Sequence, residues 1–248
     1  MNDSSVNANI GSFLSAMAQD HHAASMDGST HATGPLPFLT ISRQTGASGH
    51  SLATALIKAM KAEADNALLQ NWHMFDEELC ELIIKDQTLW VSMESLLSEE
   101  YHSQLEDFFA GVMFGNTAQD VVVGKIFRNI HKLASVGKAI IVGRGGACVT
   151  RELRGGIHVR LVAPHASRVA RMVDLMDLSE QEAEATTVRQ DHSRAELVHK
   201  HFAEDIDNPL LYDAVCNTDR MSVNQIARML MELIADKAKK LEHARKAA

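Results

Sequence analysis

The stretch Phe38-Leu-Thr-Ile-Ser-Arg-Gln-Thr-Gly-Ala-Ser-Gly-His-Ser-Leu-Ala53 decides how the rest of the chain is read. Four apolar or β-branched residues, Phe38 to Ile41, predict a short buried strand. Ser42 to Gly49 is a turn rich in small residues. From Ser51 to Met60 the spacing predicts a helix, with Leu52, Leu56 and Met60 four apart on one face and Ala55 and Ala59 behind them. A strand, a glycine turn and a helix N-terminus in that order make an anion cradle. Backbone N–H groups converge on the turn, and the positive end of the helix dipole adds to them.

Aligned on Gly49-His50-Ser51, the turn meets the phosphate-binding pattern G-x-x-x-x-G-K-[ST] at its second glycine and its closing hydroxyl. Gln44 stands where the first glycine belongs, and His50 where the lysine belongs. Gly46 and Ser48 keep the interior of the turn small. Taken alone, the turn leaves two readings open: phosphate binding, or tight packing between strand and helix.

The remaining chain repeats the strand-then-helix order. Trp72 to Phe75 predicts a second strand, and Asp76-Glu-Glu78 opens a helix over Leu79 to Lys85. Asp76 caps that helix, with or without a second role as a ligand contact at the strand's carboxyl end. Leu89 to Phe114 carries an apolar helical stripe that reads as core, and Val121 to Val136 predicts a further helix. Lys138 to Gly143 is a buried parallel strand followed by Arg144-Gly-Gly146, with a helix from Ala147 to Leu153. Glycines after a buried strand permit close backbone approach, so Arg144 reads as an anion ligand or as a structural ion-pair partner. Ile157 to Val162 predicts the next strand. A helix holding Arg168 and Arg171 on one face follows, then a capping box at Ser179 and Glu182 that opens a helix through Arg189, Asp191 and Arg194. On spacing alone these arginines fit a solvated, salt-bridged surface with Glu182, Glu184, Asp191 and Glu196. Ala214 to Asn217 is the last strand, and Ser222 to Ala238 a long amphipathic helix. The alternation predicts an α/β fold: a parallel sheet with helices on both faces and ligands beyond the strands' carboxyl ends.

Composition bounds the function. The chain has 248 residues, 46% of them hydrophobic, and a net charge of −8. It has no basic arm for a nucleic-acid polymer and no apolar run of about 20 residues for a membrane. Cys80, Cys148 and Cys216 are scattered, which argues against a zinc or disulfide framework and fits a reducing, cytoplasmic compartment. Residues 1–35 read as a disordered and dispensable tail, 36–236 as one domain, and 237–248 as a basic tail that frays.

In order along the chain, Ile41-Ser-Arg-Gln-Thr-Gly-Ala-Ser-Gly-His50, Phe75-Asp-Glu-Glu-Leu79, Ile141-Val-Gly-Arg-Gly-Gly146, His158-Val-Arg-Leu-Val-Ala-Pro164 and Asp207-Asn-Pro-Leu-Leu-Tyr-Asp213 with Asn217-Thr218 resemble the cytidylate kinase-like family of P-loop kinases. The resemblance runs from about Phe38 to Ile234. It implies a three-layer α/β/α P-loop fold, an ATP donor with Mg²⁺, and a nucleoside monophosphate or similar small acceptor. It also implies a helical lid over about 168–202. The loop Gln44, Thr45, Gly46, Ala47, Ser48, Gly49, His50 and Ser51 would hold the donor phosphates, with Ser51 near Mg²⁺. Arg144 would contact the acceptor phosphate, beside Asp76. Arg168, Arg171, Arg189 and Arg194 would belong to the lid, with Asp191 as its carboxylate. Arg43, just before the loop, would replace part of the missing lysine's charge. Proper cytidylate kinases carry a lysine at the place of His50 and an aspartate at the place of Gly145. Two functions therefore stand side by side: an ATP-dependent kinase, and a nucleotide-binding sensor or partner-binding module that transfers nothing.

Overall fold

The structure, a computed structural model, describes residues 11, 13–17, 35–76, 80, 99–110, 112 and 117–247. Five strands form one parallel sheet: β1 (Phe38–Arg43), β2 (His73–Phe75), β3 (Ala139–Val142), β4 (Gly156–Val162) and β5 (Ala214–Asn217). Their order across the sheet is β2-β3-β1-β4-β5. β1 is therefore central, with Ile41 beside Val142 of β3 and Val159 of β4. That position explains why Phe38 to Ile41 is buried throughout.

Helices pack around the sheet, among them α1 (Gly49–Ala62), α2 (Glu99–Ala110), α3 (Ala118–Val136), α4 (Gly146–Val149), α5 (His165–Met176), α6 (Glu180–Phe202) and α7 (Val223–Ala247). Successive strand residues point to opposite faces. Leu39, Ile41, Ile140 and Val142 pack with Leu52 and Leu56 of α1 and Ile226 and Leu230 of α7. Phe38, Phe75 and Ile141 pack on the other face with Phe127, Ile130 and Leu133 of α3. Helices thus cover both faces, and the expected three-layer α/β/α architecture is the one observed. α3 opens on a capping box between Thr117 and Asp120, and α6 on the expected box between Ser179 and Glu182.

Three expectations need correction. Residues 13–17 are helical, and Phe13, Leu14 and Met17 are buried in the core shared with Phe38 and Phe75. Their spacing puts three apolar side chains on one helical face, so the segment 1–35 is not a wholly detached tail. Phe13 meets Phe75 edge-on at 5.2 Å between ring centroids. The helix expected from Ala147 to Leu153 ends after one turn, at Val149. The chain must then turn through Gly155 and Gly156 into β4, and Thr150 Oγ1 donates back to the Gly146 carbonyl. The final helix does not fray at 237 but runs to Ala247, supported by Lys239–Asp236 and Lys246–Glu242 pairs on its surface. The helix read over Leu79 to Lys85, Cys80 apart, and the apolar residues of 89–97 lie outside the described residues.

Candidate active site

The turn between β1 and α1 keeps its backbone donors open. Thr45 N–H is bonded to Asp191, and Ala47 N–H to the Gln44 carbonyl. Among the described residues, the amides of Gly46, Ser48, Gly49, His50 and Ser51 make no hydrogen bond. They stand at the start of a 14-residue helix whose first turn carries no acidic side chain. Ser48 adopts a left-handed conformation (φ 65°), as does Gly46 (φ 76°). A side chain at Gly46 would collide with the Arg168 carbonyl, so the loop is pressed directly against α5. This donor set fits phosphate: five N–H groups without a bond among the described residues, at a positive helix end. Ser51 is exposed and its hydroxyl makes no bond, which fits a Mg²⁺ ion carried on phosphate oxygens. Among the described residues no three His, Cys, Asp or Glu side chains cluster to hold a resident metal.

His50 is exposed at the loop's lysine position, and its Nε2 lies 3.4 Å from Asp76 Oδ2 at the end of β2. Asp76 is therefore on the loop side and does not line the cavity expected to take the acceptor.

That cavity, of about 370 Å³, opens beyond the carboxyl ends of β1 and β3. Arg43, Arg144, Arg189 and Arg194 line it, opposite Leu197, Val198, Ile206 and Tyr212. Arg144 sits between Gly143 (φ 87°) and Gly145 (φ 65°) and is itself left-handed (φ 53°). A non-glycine residue there costs about 1–2 kcal/mol, and Arg144 lines the cavity from this turn. Burial lowers the Arg144 pKa, and Arg194 lowers it further. Burial also lowers that of Arg194, against the opposing pull of Asp191. The cations are crowded enough to destabilise one another's charge. Arg189 is exposed at the rim, and its guanidinium donates to Thr186 of its own helix.

The lid side chains divide into two groups. Asp191 accepts from Thr45 N–H (2.7 Å), Thr45 Oγ1 (2.8 Å) and Arg168 Nη1 (2.7 Å). Arg194 reaches the same carboxylate at 3.2 Å and also donates to Thr45 Oγ1. Arg168, expected over the phosphates, is buried and spent on protein partners: the carbonyls of Ala163 and Thr45, Asp191 and His165. Arg171 binds the Gly46 carbonyl, Thr218 and Asp219. Both brace the loop rather than reach into the cavity. Of the four carboxylates expected to pair with these arginines, only Asp191 does so among the described residues: Glu182 caps its own helix, Glu184 pairs with His165 and Glu196 with His192.

Residues 38–220 match the cytidylate kinase-like family. The chain belongs to that family. The cytidylate kinase-like domain superposes on a solved, uncharacterized protein from Eubacterium ventriosum ATCC 27560 with a TM-score of 0.61, at 16% identity, covering 81% of this chain and 98% of that one. Shikimate kinase from Bacteroides thetaiotaomicron gives 0.44 at 15% identity over 80% and 98% of the two chains. APS kinase CysC from Mycobacterium tuberculosis, in complex with AMPPNP and APS, gives 0.42 at 11% over 82% and 99%. A curated relative, a uronate isomerase from Corynebacterium glutamicum, is 32% identical over 98 residues, which are 40% of this chain. The match spans only 19% of that protein's length.

The cytidylate kinase-like domain also has a wall that the residue-by-residue reading missed. Arg160 of β4 is 4% exposed. Its guanidinium donates to Ser42 Oγ and to Asp207, and lies 5.8 Å from the centre of the Tyr212 ring. Tyr212 O–H donates to the Ile206 carbonyl at 2.8 Å and stands 3.2 Å from Ser42 Oγ. The segment 206–212 is thereby fixed against β1 and β4. Arg160 and Asp207 stand in stretches noted above, yet 47 residues separate them, and no local pattern says that they meet.

Proposed function

We propose that this cytidylate kinase-like protein is an ATP-dependent phosphotransferase that passes the γ-phosphoryl group to a nucleoside monophosphate or a similar small anionic acceptor. One observation carries the reading: an amide-lined loop at a helix N-terminus stands beside a cavity lined by four guanidinium groups. Phosphoryl transfer asks little covalent chemistry of the protein, only alignment and positive charge on the transferring group. The loop amides of Gly46 and Ser48 to Ser51 would hold the donor phosphates. Ser51 would hold Mg²⁺, which neutralises charge developing on the β- and γ-oxygens. Arg144, Arg189 and Arg194 would hold the acceptor and the group in flight, since a guanidinium fork pairs two oxygens at once. Asp191 orients Arg194 and keeps α6 over the loop, excluding water that would otherwise hydrolyse the donor.

The loop's His50 favours a second reading, a nucleotide-binding module without transfer. Incubating the protein with labelled ATP, Mg²⁺ and each nucleoside monophosphate separates the two. Acceptor-dependent label transfer is the expected result. Binding of ATP with no transfer to any acceptor would replace the enzyme by the sensor.

A further inference from the structure

Arg43 ends β1, and the sequence reading assigns its charge to the donor loop. Its side chain goes elsewhere. Its stem passes Gly49, where a Cβ would stand only 3.1 Å from Arg43 Cγ. Its guanidinium lies against Gly143, where a Cβ would force Nη1 to move. Two glycines thus leave room for its stem and its guanidinium, and Arg43 lines the cavity. Arg43 makes no hydrogen bond or ion pair among the described residues, unlike Arg160, Arg168 and Arg171, which spend their donors on the protein. Burial, with Arg194 and Arg144 adding to it and Asp76 and Asp191 opposing, lowers its pKa to about 10. A largely desolvated guanidinium with no direct hydrogen-bond or ion-pair partner is costly in the free protein. Keeping one there makes sense where a ligand brings the opposite charge.

We propose that Arg43 is an acceptor-binding residue, forming with the Gly143–Gly145 turn an oxyanion subsite that takes a phosphate or carboxylate group of the acceptor. This rests on the phosphotransferase reading for the word acceptor, but the anion subsite itself does not.

The test uses the full chain, with the donor loop filled by AMPPNP and Mg²⁺, and inorganic phosphate or acetate titrated calorimetrically. In Arg43→Gln, binding of the preferred anion is expected to weaken at least about tenfold while AMPPNP affinity stays within about threefold, because one charge-assisted contact is lost at one place only. Arg43→Lys keeps the charge and should recover most of the anion binding. Without added anion, Arg43→Gln should melt at or above the wild-type temperature, since crowding among the arginines is relieved. Anion binding unchanged by Arg43→Gln, or absent from the wild type, overturns the subsite. An equal loss of AMPPNP affinity returns Arg43 to the donor loop, and a clearly lower melting temperature makes it a structural residue. Wild-type protein that binds no AMPPNP defeats the phosphotransferase reading alone. An anion site lost in Arg43→Gln would then still support the subsite, and one retained would overturn it.

Discussion

His50 and Arg194 show how far single side chains are steered by neighbours distant in sequence. His50 takes the lysine's place in the loop but faces Asp76 at 3.4 Å. A lysine there carries a full, compact charge on a flexible stem that can reach phosphate. His50→Lys is expected to tighten ATP binding at least about fivefold at pH 8, measured calorimetrically. An unchanged affinity would mean that the loop works through its amides alone. Arg194 touches both Thr45 and Asp191 and lines the cavity. Arg194→Ala should lower phosphoryl transfer at least about 100-fold, because one preorganised charge contact contributes roughly 2.7–4 kcal/mol in a transition state. Transfer within about threefold of wild type would assign Arg194 to loop bracing only.

Among the described elements, α6 is held differently at its last turn and at its middle. Its last turn is anchored: Lys200 pairs with the buried Asp120 of α3, and His201 and Phe202 lie against Phe127. Its middle carries Asp191 onto Thr45. Asp191→Ala should speed hydrogen exchange at the Thr45 amide at least about tenfold and leave the anchored turn unaffected. Equal acceleration at both places would show global loosening instead. The helical segment 13–17 gives a second test. Phe13 is 0% exposed, so Phe13→Ala should lower stability by about 3–5 kcal/mol in a denaturant titration. A change below about 1 kcal/mol would restore the dispensable-tail expectation. Strands, the glycine turn and the capping box at Ser179 and Glu182 were legible because each is a local pattern of a few residues. The burial of Phe13 was not, because polar neighbours dominate the composition around it and only the tertiary contact with Phe75 reveals the apolar face. The path of Arg43 was hidden for a related reason: it depends on two glycines 94 positions apart, Gly49 and Gly143.

At the scale of the whole molecule, buried histidines set an acid limit. Burial pushes His131, set among Phe108 and Phe109, down to about 4. It does the same to His158 beside Thr40, although Asp213 opposes the shift. An unfolded histidine takes up its proton near pH ~6.5. Between about 6.5 and 4 the unfolded chain therefore binds more protons than the folded one, and stability falls as pH drops, by about 1.4 kcal/mol per unit for each such group. The melting temperature should be flat from pH 8 to 7 and fall steadily from about 6.5 downward. In His158→Gln the fall should be shallower, and an identical slope would remove His158 from the account. Loop and lid carry a different consequence, one that concerns inheritance. The Arg168 carbonyl fills the space a side chain at 46 would need, Arg168 and Arg171 bind loop carbonyls, and Asp191 takes a loop amide. Residues 44–46 and 163–194 therefore form one unit of exchange. A chimaera that joins the loop of one relative to the lid of another should fold poorly unless both pieces come from the same parent.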